Sequence, residues 1–245
     1  MTASHRGPHM MNDHRDPRRQ YVSFNFFKIL PEWRRLPIEE REEQRREIAE
    51  VIGRWQDADT MKVITYSLVG LRADCDFMLW RICYSLECLQ EMVGDVLRTR
   101  MGGYLNITNS FLAMTRHSQY DIGRDQTLQG EVRGVLRPGT HKYLFLYPLV
   151  RTRTWYVMPF EERQRMVREI IKASEDFPTA RLNVLYSFGL DDQDFLTAIE
   201  TDHPEDHLER VMRMREVDAS PYTLRDTPMY TCVRVDVEDM LDQLG

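Results

Sequence analysis

The apolar and polar positions along the chain fall into short alternating runs separated by charged, amphipathic ones. Tyr21 to Leu30 (YVSFNFFKIL) alternates and is rich in aromatics, which predicts a strand. Pro37-Ile-Glu-Glu-Arg then opens a charged helix that reaches Trp55, with proline at its first turn and acidic residues at its positive end. Met61 to Gly70 (MKVITYSLVG) carries the β-branched and aromatic residues of a buried strand, and Asp76 to Trp80 resumes that pattern after a polar turn. Ser85 to Arg100 returns to helical spacing, and Tyr104 to Thr115 closes the series with another strand.

The same order then recurs. Tyr143 to Tyr147 is a predicted strand, Pro159-Phe-Glu-Glu-Arg opens a helix, and Leu185-Tyr-Ser-Phe-Gly-Leu-Asp-Asp reads as strand and turn. Pro37-Ile-Glu-Glu-Arg matches Pro159-Phe-Glu-Glu-Arg, and Tyr66-Ser67 with Gly70-Leu71 matches Tyr186-Ser187 with Gly189-Leu190, at an offset of about 120 residues. This is an internal duplication of a β-α-β-β-α-β unit. The expected fold class is therefore α+β, with two tandem ferredoxin-like repeats of the dimeric α+β barrel type. The expected organisation is a disordered tail at 1–20, an N-terminal half at 21–120, a connection at 121–140 and a C-terminal half at 141–245.

A chain of 245 residues with 42% hydrophobic and 29% charged residues can bury a substantial core. Its net charge of −6 argues against phosphate-backbone binding, so no nucleic-acid partner is expected. No apolar run is long enough to span a bilayer and no signal-type segment is seen, so the expectation is a cytoplasmic protein with no membrane partner. Cys75, Cys83, Cys88 and Cys232 have the spacing of neither a zinc ribbon nor a redox pair and read as reduced thiols.

Asp191, Asp192 and Asp194 resemble a metal loop, but Asp74 and Asp76 recur in the equivalent turn of the first half. A duplicated structural turn explains both, and no metal site is expected. His5, His9 and His14 belong to the polar tail, and His117 reads as a satisfied strand-end residue. His203 and His207, near the helix start at Pro204, read as solvent-facing.

Three runs of the second half, LYPLVRTRTWYVMPFEERQRM, RLNVLYSFGLDDQDF and MREVDASPYTLRDTPMY, resemble the chlorite dismutase family, closest to its coproheme decarboxylase branch. The resemblance covers essentially everything after residue 20 and is stronger in the second half. It implies ring-shaped homo-oligomers, commonly pentamers, with a porphyrin-type small molecule, haem or coproheme, lodged in the C-terminal half of each subunit. Tyr147 matches a tyrosine that lies near a reacting propionate and is proposed to carry a radical, which makes it the candidate catalytic residue. Arg151 takes the place of a lysine, keeping the charge without being able to release a proton near neutral pH. Trp155 matches the tryptophan of a Trp-Tyr pair. Arg133, Arg215 and Ser220 lie where propionate-binding groups would sit, and the planar fork of arginine suits a carboxylate.

The same resemblance exposes a departure. The position of the family's iron-binding histidine falls on Ile170, or on Glu169 if the following gap is placed differently. An alkyl side chain has no lone pair to give iron, whereas protein-bound haem takes its axial ligand from His, Cys, Met or Tyr. Met166, one turn earlier, offers a thioether, although the stripe of Val167, Ile170, Ile171 and Phe177 reads as ordinary core packing. Leu182 stands where decarboxylases carry a distal glutamine and chlorite dismutases an arginine. Three functions stay open at this point: a haem- or coproheme-binding protein with decarboxylase or weak peroxidase chemistry in a degenerate pocket, a haem-free oligomeric scaffold or binding module, and a cofactor-free monooxygenase-like barrel.

Overall fold

The computed structural model describes residues 19–120 and 135–245. The first half consists of β1 (Tyr21–Ile29), α1 (Ile38–Asp57), β2 (Met61–Ser67), β3 (Phe77–Cys83), α2 (Leu86–Arg98) and β4 (Leu105–Met114). The second consists of β5 (Tyr143–Arg151), the short α3 (Arg153–Val157), α4 (Phe160–Ser174), β6 (Arg181–Tyr186), β7 (Phe195–Thr201), α5 (Pro204–Arg215), β8 (Thr223–Arg225) and β9 (Tyr230–Arg234), followed by α6 (Val237–Asp242).

β5 is longer than the pattern predicts because Pro148 does not end it. A proline has no N–H for a ladder. Here it falls in a gap, since β9 stops pairing at Leu146 and β8 starts at Val150. β2 is shorter than predicted, because Gly70 turns the chain with a φ of 76°. Its counterpart Gly189 has a φ of 69°, and both sit in the left-handed region that glycine alone enters without strain.

The duplication is real in space. Each half has the ferredoxin-like strand order, β4-β1-β3-β2 in the first and β9-β5-β7-β6 in the second, with antiparallel neighbours throughout. The two sheets join at Tyr66↔Arg234 between β2 and β9 and at Met114↔Tyr186 between β4 and β6, which closes an eight-stranded barrel. β8 is added on β5. Strand alternation sends Phe24, Phe26, Trp80, Leu146, Leu196 and Tyr230 into the barrel, where Phe26 stacks on Tyr230 at 4.0 Å and Phe24 on Trp80 at 5.2 Å.

The acidic turns serve the backbone in both halves. The Asp76 N–H donates to the Phe27 carbonyl while its carboxylate accepts the Ile29 N–H; the Asp194 N–H donates to the Leu149 carbonyl while its carboxylate accepts the Arg151 N–H. Asp191 accepts the Leu112 N–H at 2.8 Å and so ties the second half to β4.

On its outer face the first sheet is sealed. Phe27, Phe77 and Leu79 meet Ile48 and Ile52 of α1, Met92 and Val96 of α2, and Met240 of α6 in one continuous cluster. The outer face of the second sheet has two separate clusters instead, one around Phe145, Leu182 and Ile199 and one around Trp155, Met166 and Val217. Among the described residues, no helix is long and apolar enough to cross a membrane. The four cysteines are free thiols, and burial pushes Cys75 up to about 12.

Candidate functional site

Between the second sheet and its two helices lies a cavity with about 1250 Å³ of empty space, part of it open to solvent. The repeat shows how it arises. Ile170 stands eleven residues after Pro159, as Ile48 stands after Pro37, and the offset of 122 positions also pairs Trp155 with Trp33. Ile48 is sealed in the first core, whereas Ile170 is only partly buried and lines the cavity. The opposing surfaces differ. Thr197 follows Phe195 on β7 as Leu79 follows Phe77 on β3, so a polar, smaller side chain faces the helix in the second half.

The helix wall is formed by Val167, Ile170, Ile171 and Ser174, one stripe of α4 at helical spacing. The sheet wall is formed by Tyr147, Leu182, Val184, Tyr186, Phe195 and Thr197. Tyr120, beyond β4, reaches across from the first half, stacking on Phe160 at 5.6 Å and accepting a hydrogen bond from Arg163 at 3.3 Å.

At the end of β5 the structure fixes Arg151 and Trp155 together. Thr152 caps α3, its hydroxyl accepting the Trp155 N–H, and Trp155 is buried below. The Arg151 guanidinium lies 4.8 Å from the Trp155 ring centroid and donates to the Ala219 carbonyl and the Thr223 hydroxyl, both at 3.0 Å. All its acceptors are neutral, and burial lowers its pKa below the ordinary arginine value. Tyr156 donates to the same Asp194 carboxylate that holds the Arg151 backbone; burial, and then that hydrogen bond, raise the phenol's pKa.

The other residues singled out by sequence divide. Tyr147 lines the cavity from β5, and its hydroxyl makes no hydrogen bond with a described residue. Leu182 is buried on β6 and lines it too. Ser220 and Arg215 lie at its edge, but Arg215 is half-exposed and already ion-paired with Asp226 at 2.6 Å. Glu169 accepts the Asp218 N–H at 3.2 Å and does not line the cavity, so of the two alternatives it is Ile170 that faces inward. Met166 does not line the cavity but packs against Trp155 and Val217, which do. Arg133 lies outside the described residues.

One expectation is overturned. His207 is not solvent-facing: it is buried and stacked on Phe145, with ring centroids 3.9 Å apart. Burial, and after it the neighbouring Arg210 charge, lower its pKa to about 4. The reason lies in helix register. Counted from the first residue outside each helix, Ser85 and His203, positions four, seven and eleven are Leu89, Met92 and Val96 on α2 and His207, Arg210 and Met214 on α5. The face that is apolar in the first half carries a histidine and an arginine in the second. Sequence reasoning missed Arg210, and this comparison of caps is the signal that reveals it.

Two ferredoxin-like units closed into a barrel, with one cavity under the helices of the second, define the class of protein. A model of the chlorite dismutase family matches residues 41–235, and the chain belongs to that family. The coproheme decarboxylase of Mycolicibacterium smegmatis is 31% identical to it over 229 residues, covering 92% of this chain and 94% of the relative. Among solved structures, a variant chlorite dismutase from Candidatus Nitrospira defluvii shares the fold with a TM-score of 0.82 at 23% identity, covering 91% of this chain and 94% of that one. A haem-binding protein from Thermus thermophilus shares it with a TM-score of 0.79 at 19% identity, covering 93% and 95%.

Proposed function

We propose that the second-half cavity binds a carboxylated porphyrin, haem or coproheme, through its faces and its carboxylates, and that α4 offers the iron no ligand. The observation that carries the reading is the asymmetry of the duplication: among the described residues the helices seal the outer face of the first sheet, whereas a cavity opens under those of the second and holds Arg151 and Arg210, neither of them ion-paired. The cavity opens to solvent between an apolar helix wall and an aromatic sheet wall, a slot-like lining that suits a planar ligand with polar edges.

The residues fit the organic part of such a ligand. Leu182, Val184, Ile170 and Ile171 supply apolar walls, Tyr147 and Phe195 supply aromatic ones, and Arg151 supplies a cation braced on Trp155. Ser220 and Arg215 add polar contacts at the rim; a role for Arg133 in holding a carboxylate rests on resemblance alone. They do not fit axial ligation from the helix. The residues of α4 that line the cavity are Val167, Ile170, Ile171 and Ser174, and none of them is a histidine, cysteine, methionine or tyrosine. The reading is therefore one of binding, with Tyr147 as a polar wall residue. A homo-oligomeric ring belongs to the same proposal and is checked by the mass of the purified protein in solution.

The test is titration with ferric coproheme and with haem, followed by absorbance. Saturation at one equivalent per chain is expected, tighter for coproheme, which carries more carboxylates. Absence of saturable binding to either would overturn the reading in favour of a haem-free scaffold, which Ile170 also favours.

A second reading, decarboxylation, draws on Tyr147 and its unengaged hydroxyl. It is checked by mass spectrometry of the ligand after peroxide is added to the coproheme complex. The binding reading expects the mass of coproheme to persist, and the loss of two carboxyl groups would replace it with the second reading.

A further inference from the structure

Arg210 is a buried cation without a counter-ion. Its residue is 3% exposed and lines the cavity from α5. One of its nitrogens, Nη2, reaches the Ser174 hydroxyl at 3.4 Å, while Nε and Nη1 make no hydrogen bond at all. Ser174 spends its own proton on the Ile170 carbonyl at 2.9 Å, so it meets Arg210 as a neutral acceptor. Among the described residues Arg210 forms no ion pair, and the one acidic residue lining the cavity, Asp226, is held by Arg215.

In the first half the equivalent position holds an apolar side chain. Met92 occupies it on α2, fully buried in the first-half core. Replacing a core methionine with a guanidinium is strongly unfavourable unless an anion completes the site, because the desolvated charge has nothing to pair with. His207, one turn earlier on the same face, is kept neutral by burial and supplies no negative charge. The missing partner has to come from whatever enters the cavity.

We propose that Arg210 is the receptor for a carboxylate of the cavity's ligand on its helix side, separate from the Arg151 station at the end of β5. The ligand class that follows is an apolar body with at least two carboxylates, one for each guanidinium. Arg151 is held by Ala219, Thr223 and Trp155, whereas Arg210 is held by the last turn of α4, so the two stations belong to different elements. The proposal rests on the porphyrin reading and adds to it the residue that selects for charge on the helix side.

The test uses iron-free coproporphyrin, a tetracarboxylate, and its tetramethyl ester, so that no metal ligation contributes. Binding to the full-length protein is followed by fluorescence for wild type, Arg210→Met and Arg210→Lys, with melting temperatures of the ligand-free proteins measured alongside. Wild type is expected to prefer the acid over the ester. Arg210→Met should lose at least tenfold in affinity for the acid and little for the ester, while melting higher than wild type because it restores the apolar residue of α2. Arg210→Lys should keep part of the preference.

Equal affinity of wild type and Arg210→Met for the acid overturns the Arg210 proposal and leaves the porphyrin reading standing. A lowered melting temperature together with equal losses for acid and ester makes Arg210 a structural residue and also overturns it. Failure of the wild type to bind the acid removes the porphyrin reading, and this proposal with it.

Discussion

Ile170 on α4 and Ile48 on α1 occupy the same position in the repeated unit, yet Ile48 is closed into a core and Ile170 looks into a cavity. The side chain is the same; what it faces is different. Isoleucine at 170 is what the duplicated unit carries at this point, and the cavity comes from the surfaces opposite, where Thr197 stands in register with Leu79 and Arg210 in register with Met92.

The pair gives a direct stability contrast. Ile48→Ala leaves a hole in a sealed core and should cost about 2–5 kcal/mol, whereas Ile170→Ala enlarges an existing cavity and should cost less than about 1.5 kcal/mol. Urea unfolding of the two ligand-free variants measures both. Equal costs would mean that the cavity is closed in solution.

Arg151 and Arg215 differ in what already holds them. Arg151 has neutral acceptors only, so Arg151→Met should weaken ferric coproheme binding by roughly 10- to 150-fold, the size of a charge-assisted contact of about 1.5–3 kcal/mol. Arg215 is paired with Asp226 and half-exposed, so Arg215→Gln should cost less than about fivefold. Dissociation constants for the two variants decide the order, and a larger loss at Arg215 would reverse the assignment.

His207 should make the ligand-free protein acid-sensitive. Its folded pKa of about 4 lies below the ordinary 6.5, so between those values the unfolded chain binds the extra proton and stability falls as pH falls. The loss amounts to at most about 3 kcal/mol, complete near pH 4 and absent above pH 7. His207→Phe, which keeps the stack on Phe145, should flatten that part of the stability profile measured by urea unfolding. An unchanged slope would place the sensitivity elsewhere.

Much of the fold was legible because the repeat is written in residues with rigid jobs: the prolines at 37 and 159 that start helices, the glycines at 70 and 189 that need positive φ, and the aspartates at 76 and 194 that accept backbone N–H groups. Tyr147, Arg151, Trp155, Ile170, Leu182, Arg215 and Ser220 do gather around one cavity. The cavity was expected from the family resemblance alone and was not legible in the periodicity of the residues. Val167, Ile170 and Ile171 form the stripe that a packed helix would show, and periodicity does not reveal whether the facing sheet is near or far. Arg210 is surrounded in sequence by Glu205, Asp206, Glu209 and Arg213, and its place on the inward face emerges only when α5 is set in register with α2.

If α4 gives iron no protein ligand, the ferric coproheme complex will show it in its absorbance spectrum, with wild type and Ile170→His run side by side. The wild-type complex should lack the signature of an imidazole-bound iron, and the Ile170→His complex should acquire that signature and bind more tightly. An imidazole-type spectrum already present in the wild type, or an Ile170→His spectrum indistinguishable from that of the wild type, would show that Ile170 does not stand at the iron's ligand position.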